Sequence, residues 1–148
     1  MGAHISVPMY QRTIPERYAM IGQKCNSCNR IIFPHKASCP YCNSTDLDKF
    51  KLSGKGEIYA VTSIASGGAP PEFAEESRVR GSYFVVIVKL DEGMKIIARY
   101  SGKKNPEIGM KVKYLLRKIY DEEGVIRYGY KFVPELEYAA KKITETVE

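Results

Sequence analysis

No run of about 18 apolar residues occurs in this chain of 148, so no segment reads as a membrane-spanning helix. Met1-Gly2-Ala3-His4 lacks the basic, apolar and small-residue succession of a secretory signal, and the expectation is a soluble cytoplasmic protein. Histidine occurs only twice, and no Ser/His/Asp arrangement stands out. Charge of one sign is also thin. The 23 Lys and Arg against 17 Asp and Glu leave +6, and the excess is spread along the chain among carboxylates. A protein of duplex DNA carries a denser basic stripe.

What the chain does have is four cysteines in one place: Cys25-Asn26-Ser27-Cys28 and Cys39-Pro40-Tyr41-Cys42, two CxxC pairs with ten residues between them. Two thiolates three residues apart both point inward from one tight turn, and a second such turn completes a tetrahedron around a metal ion. Zinc is the first choice, and iron fits the same four thiolates. Each turn has to reverse the chain just after its second cysteine, where Asn29 and Asn43 stand; asparagine tolerates left-handed backbone better than other side chains. The rival reading is a pair of disulfides, which an intracellular setting disfavours. A four-cysteine site leaves zinc no open position for water or substrate, and it leaves the chain no spare thiol as nucleophile. A tetrathiolate would also lower the net charge by about two.

A metal-stapled unit of about 30 residues is too small to hold a core alone, so it is expected beside a second compact unit. The expected segments are 1–22 with a short helix, 23–51 for the metal ribbon, 52–133 for a barrel and 134–148 for a closing helix. In the first, after an irregular start, Thr13-Ile14-Pro15-Glu16 has the form of a capping box, Ile14, Tyr18 and Ile21 share a helical face, and Gly22 is read as the helix stop. Arg30 to Phe33 reads as a short strand and Pro34-His35-Lys36 as the loop after it, with His35 no ligand because four cysteines suffice. From Leu52 the pattern turns to period two: Gly56 to Ala65, Tyr83 to Leu90, Met94 to Tyr100, Met110 to Tyr120 and Val125 to Phe132. Tight turns at Asp91-Glu92-Gly93 and Asp121-Glu122-Glu123-Gly124 join two hairpins. Five strands in this order suit a small closed barrel of the oligonucleotide/oligosaccharide-binding (OB) type, with an SH3-like barrel as the competing topology. Ser66 to Ser82 reads as a long loop without periodicity of its own. The tail from Pro134 reads as a helix with Leu136, Ala140, Ile143 and Val147 on one stripe, packing on its own barrel or on another subunit.

Taken together, Gly22-Gln23-Lys24-Cys25-x-x-Cys28, Phe33-Pro34, Cys39-Pro40-x-Cys42, Leu52-Ser53-Gly54-Lys55-Gly56-Glu57-Ile58-Tyr59, Val88 to Gly93, Ile108-Gly109-Met110-Lys111-Val112 and Tyr130-x-Phe132-x-Pro134 resemble a known family. It is the family first catalogued as domain of unknown function thirty-five, a rubredoxin-like zinc ribbon fused to an OB-fold and associated with acyl-CoA metabolism. The resemblance spans roughly residues 13 to 134. The chain departs from the pattern at Asn29 and Asn43, where glycine is usual, and at Pro34-His35-Lys36, where proline and arginine are frequent.

The resemblance implies a non-catalytic partner of thiolase-type enzymes. In archaeal members such a protein bridges an acetoacetyl-CoA thiolase and a hydroxymethylglutaryl-CoA synthase of the mevalonate pathway, and helps to hold the CoA-bound intermediate. The phosphates of coenzyme A ask for cations and backbone N–H groups, its adenine for a flat apolar face and its arm for a groove. Candidates are Ser53, Gly54, Lys55 and Gly56, then Arg78, Arg80, Arg99, Lys103 and Lys104, with Tyr83, Phe84 and Tyr100 as groove walls. Each of these basic residues reads equally well as solvated surface, and each aromatic as core. Two other classes stay open at this stage. Ribbons and OB-folds both hold single-stranded nucleic acid by aromatic stacking in a basic groove, and bound iron would make the ribbon an electron carrier.

Overall fold

The structure, a computed structural model, describes residues 7–122 and 124–139. The chain divides into two compact units, Met1–Ser53 and Gly54–Glu148. The first begins with α1 (Val7–Arg12) and α2 (Ile14–Ala19), followed by β1 (Ile21–Cys25), β2 (Ile31–Ile32) and β3 (Leu47–Lys51). These strands form an antiparallel sheet in the order β2-β1-β3.

Three readings of this segment change. The irregular start contains α1, held to α2 by Arg17, whose guanidinium lies 3.9 Å over the Tyr10 ring and donates to the Tyr10 carbonyl at 2.7 Å. The capping box does not form, because the Thr13 hydroxyl donates back to the carbonyls of Met9 and Tyr10 at 3.0 and 3.2 Å. Glu16, the expected reciprocal cap, is buried and accepts the His35 N–H at 2.9 Å. Finally, α2 stops at Met20, which adopts φ 51° and accepts the Leu52 N–H at 3.0 Å. Gly22 lies inside β1 together with Ile21. A Cβ at Gly22 would stand 2.7 Å from the Ile32 carbonyl, so glycine serves the close approach of β2 and does not end a helix.

The second unit holds β4 (Lys55–Ile64), β5 (Tyr83–Leu90), β6 (Lys95–Arg99), β7 (Lys111–Glu122) and β8 (Val125–Pro134) in the sheet order β6-β5-β4-β7-β8. A parallel bridge from Tyr100 to Phe132, with the Ser101 N–H on the Phe132 carbonyl at 2.9 Å, brings the two ends of the sheet together. This is the OB arrangement: the first strand of the barrel sits in the middle of the sheet, and the third and fifth close it. Alternation sends Ile58, Val86, Val88, Leu90, Ile96, Val112 and Phe132 inward, all buried.

The connection between β4 and β5, expected as a loop, carries a 3₁₀ turn (Ser66–Gly68) and a ten-residue helix, α3 (Pro71–Arg80). Proline opens it, and Gly81 closes it at φ 83° and ψ −148°, a region that a side chain would not tolerate. The buried Ser77 hydroxyl donates to the Gly81 carbonyl at 3.1 Å. At the other end of the barrel chain, Pro134 finishes β8 instead of opening the tail helix, and residues 135–139 are helical. Leu136 is 86% exposed. The other members of its expected stripe, Ala140, Ile143 and Val147, lie outside the described residues.

Candidate functional site

Each CxxC turn is closed by two backbone hydrogen bonds. In the first, the Asn29 N–H reaches the Cys25 carbonyl at 2.9 Å and the Cys25 N–H the Arg30 carbonyl at 3.0 Å. In the second, the Asn43 N–H reaches the Cys39 carbonyl at 2.9 Å and the Cys39 N–H the Ser44 carbonyl at 2.9 Å. Both asparagines adopt left-handed backbone, at φ 58° and 59°, as the turns demand. The two knuckles are tied across by Ser27 Oγ to Ser44 Oγ at 2.9 Å and by the Asn26 amide, which donates to Asp46 and Asp48 at 3.0 Å each.

All four sulfurs lie within 4.8 Å of one another. Cys25 and Cys42 are 3.5 Å apart and Cys28 and Cys39 3.6 Å, as free thiols rather than disulfides. With metal–sulfur bonds of about 2.3 Å, a tetrahedron has edges of about 3.8 Å, so the cluster fits one ion. Its electrostatics point the same way. The N–H of Cys28 above all, then that of Ser27, holds Cys25 down to about 6. Burial opposes ionisation of Cys39, yet the N–H groups of Tyr41 and Cys42 outweigh it and lower its pKa. The Ser44 N–H favours a Cys42 thiolate, but burial and the three neighbouring sulfurs push it up to about 12. Four thiolates resist sharing this space until a cation balances them. His35 is an exposed loop residue, as expected.

The candidate CoA contacts do not converge on one place. Arg80, Tyr83, Phe84 and Arg99 line a cleft of about 190 Å³ together with Tyr100, Ser77, Ser101 and the buried Lys131. Here Arg99 lies 4.3 Å over the Tyr83 ring and 4.7 Å over that of Phe73. Phe73, Ser77 and Lys131 escaped the sequence reading. Lys131 alternates with core residues on a strand, and Phe73 and Ser77 fall on a helix with no periodic apolar face to announce it. The remaining candidates are not among the residues that line this cleft. Ser53 belongs to the first unit, and Arg78 does not line the cleft. Gly54, at φ 67°, is covered by the Tyr114 ring, which a Cβ would meet at 1.9 Å. Lys55 pairs with Glu135 at 3.1 Å and Lys104 with Glu107 at 3.4 Å, while the Lys103 N–H donates to Glu137 at 2.9 Å. Gly56 makes room for β5, its Cβ position being 2.4 Å from the Lys89 carbonyl.

The fold and the thiolate cluster define a rubredoxin-like ribbon followed by an OB-fold. Residues 12–48 match the family description "ChsH2, rubredoxin-like zinc ribbon domain", and residues 51–117 match "ChsH2, C-terminal OB-fold domain". A "DUF35 domain-containing scaffold protein" of Methanocaldococcus jannaschii is 37% identical over 128 residues, which cover 83% of this chain and 86% of that one. The chain belongs to the DUF35 family. A "probable enoyl-CoA hydratase alpha subunit" of Thermomonospora curvata is 32% identical over 95 residues, 63% of this chain and 28% of that larger protein. Among solved structures, a chain of the "Ltp2-ChsH2(DUF35) aldolase" superposes with a TM-score of 0.60 at 25% identity, covering 89% of this chain and 98% of that one.

Proposed function

We propose that this protein is a non-catalytic scaffold that docks acyl-CoA enzymes, a thiolase and a hydroxymethylglutaryl-CoA synthase, and helps to hold the CoA-bound intermediate between them. The observation that carries this reading is the closed thiolate cluster. Cys25, Cys28, Cys39 and Cys42 use every thiol of the chain in one four-ligand site, so a bound zinc has no open position and thiolase-type acyl transfer has no thiol nucleophile here. Among the described residues no other cluster of His, Cys, Asp or Glu offers a metal site. Zinc would fix the two knuckles, and the chemistry would belong to the partners. Support comes from relatives named as a scaffold, as a subunit of a CoA enzyme and as a component of an aldolase complex.

Within this reading the cleft under α3 takes a phosphate of CoA. Arg80 and Lys131 supply cations, and the face of Phe84 an apolar wall. Single-stranded nucleic acid is the weaker occupant. Base stacking needs exposed ring faces, whereas the Tyr83 and Phe73 rings are taken up by Arg99. The test is an affinity pull-down of the tagged protein from its native cells, at moderate salt and after nuclease treatment. Recovery of a thiolase and a synthase in comparable amounts is expected; recovery of nucleic-acid-processing proteins in their place overturns the reading.

A further inference from the structure

The cleft between α3 and the barrel strands gathers charge of one sign. Arg80 ends α3, Arg99 ends β6 and Lys131 lies in β8, so three cations from three separate elements converge on about 190 Å³. Among the described residues no carboxylate lines it. The cations are also held in place. The Arg99 guanidinium is stacked 4.3 Å from the centre of the Tyr83 ring and 4.7 Å from that of Phe73, and Lys131 is only 8% exposed. The Ser77 hydroxyl donates to the Gly81 carbonyl at 3.1 Å, which fixes the turn that brings Ser82 into the lining. Like charges gathered in so small a space repel one another, and an anion among them removes that repulsion. Side chains mounted on a helix end and two strands lose little conformational freedom in binding it.

Size narrows the ligand. Pockets that enclose a whole small molecule run to about 300–1,000 Å³, so this cleft admits an end group and leaves the rest of its ligand outside. A phosphate monoester is such an end group: at neutral pH it carries about −1.5 to −2 in charge and presents three terminal oxygens to the cations around it. A phosphate inside a chain, as in a diester or a pyrophosphate, has substituents on two sides and fewer free oxygens and charges to offer. We infer that the cleft is a site for a terminal phosphate monoester and distinguishes it from an internal phosphate. Resting on the scaffold reading above, this assignment also says which group of CoA is held. Of its phosphates only the 3′-phosphate on the ribose is a monoester, so that group seats in the cleft and the pyrophosphate and arm stay outside.

The experiment uses the full chain with its metal, titrated calorimetrically at one fixed salt concentration with CoA, with 3′-dephospho-CoA and with inorganic phosphate. CoA is expected to bind about tenfold or more tighter than 3′-dephospho-CoA, the difference that charge-assisted hydrogen bonds confer. Arg80→Gln, at an exposed helix end, is expected to remove most of that difference, whereas Arg78→Gln, on the same helix but outside the lining, leaves it in place. Equal binding of CoA and 3′-dephospho-CoA, or a difference that both variants lower alike, overturns the monoester site and leaves the scaffold reading intact. Inorganic phosphate binding as tightly as CoA makes the free ion the ligand, and the assignment to CoA fails. Binding of neither nucleotide overturns the inference outright. Recruitment of the enzymes is decided separately by the pull-down described above, so a failed cleft and a failed scaffold are told apart.

Discussion

At the scale of single residues, the two asparagines and one tyrosine carry most of the testable physics. Asn29 and Asn43 hold φ near 60°, where a Cβ costs about 1–2 kcal/mol unless the side chain compensates locally. Asn29→Ala and Asn43→Ala are expected to destabilise the metal-loaded ribbon by about 1 kcal/mol each, and the glycine variants to leave it unchanged or slightly firmer. Denaturant titration of the zinc form decides this, and alanine variants as stable as wild type would show that the turns relax. Tyr100 donates to the Lys104 carbonyl at 2.8 Å beneath the loop after β6; burial, then the Glu137 carboxylate, pushes its pKa up to about 12. The folded state therefore keeps this proton where the unfolded chain, titrating near 10, has lost it. The stabilising effect is complete below pH 10 and falls away between 10 and 12. Melting temperature should drop across that window, and Tyr100→Phe should shrink the drop without abolishing it, because burial also raises Tyr114.

Among the elements, α3 rests on the strands through aromatic contacts. Phe73 is its aromatic anchor, resting on Tyr83 and Tyr120. Phe73→Ala is expected to cost about 1–2 kcal/mol, less than the 3–5 of a fully buried phenylalanine, and to raise amide exchange along α3 while the barrel strands keep their protection. Uniformly slow exchange would show that the helix is held by other contacts. This helix also marks where the sequence stopped being informative. The strands could be read because one face of each is buried and the residues alternate; Tyr83 to Leu90 came out with its observed ends. In α3 the sequence Pro-Glu-Phe-Ala-Glu-Glu-Ser-Arg-Val-Arg shows no apolar stripe, although Phe73 and the buried Ser77 are among its described contacts. Gly22 misled in the opposite way: its role comes from a carbonyl ten residues on, and nothing local distinguishes that from a helix stop. The thiolate cluster was legible in full because its ligands are local in sequence. The cleft was legible only in part, since it gathers side chains from α3, β5, β6 and β8.

For the whole molecule, metal and barrel are separable in their chemistry. The buried core of the first unit around the knuckles is Cys25, Ile32 and Cys39 with Cys28 and Leu47 against it, so three of these five are the candidate metal ligands. The barrel core contains no cysteine. Chelation of the metal, or Cys25→Ser or Cys39→Ser, is expected to unfold residues of the ribbon while barrel amides stay protected. If either serine variant retains one equivalent of zinc and full stability, the four-cysteine assignment is wrong. Closure of the barrel has a consequence in time as well. Tyr100 meets Phe132 to seal the ring, so during synthesis the sheet stays open until β8 has left the ribosome. All four cysteines emerge long before that. The four thiols are therefore available to a metal ion before the barrel is able to seal, and closure of the ring is the later event in the order of translation.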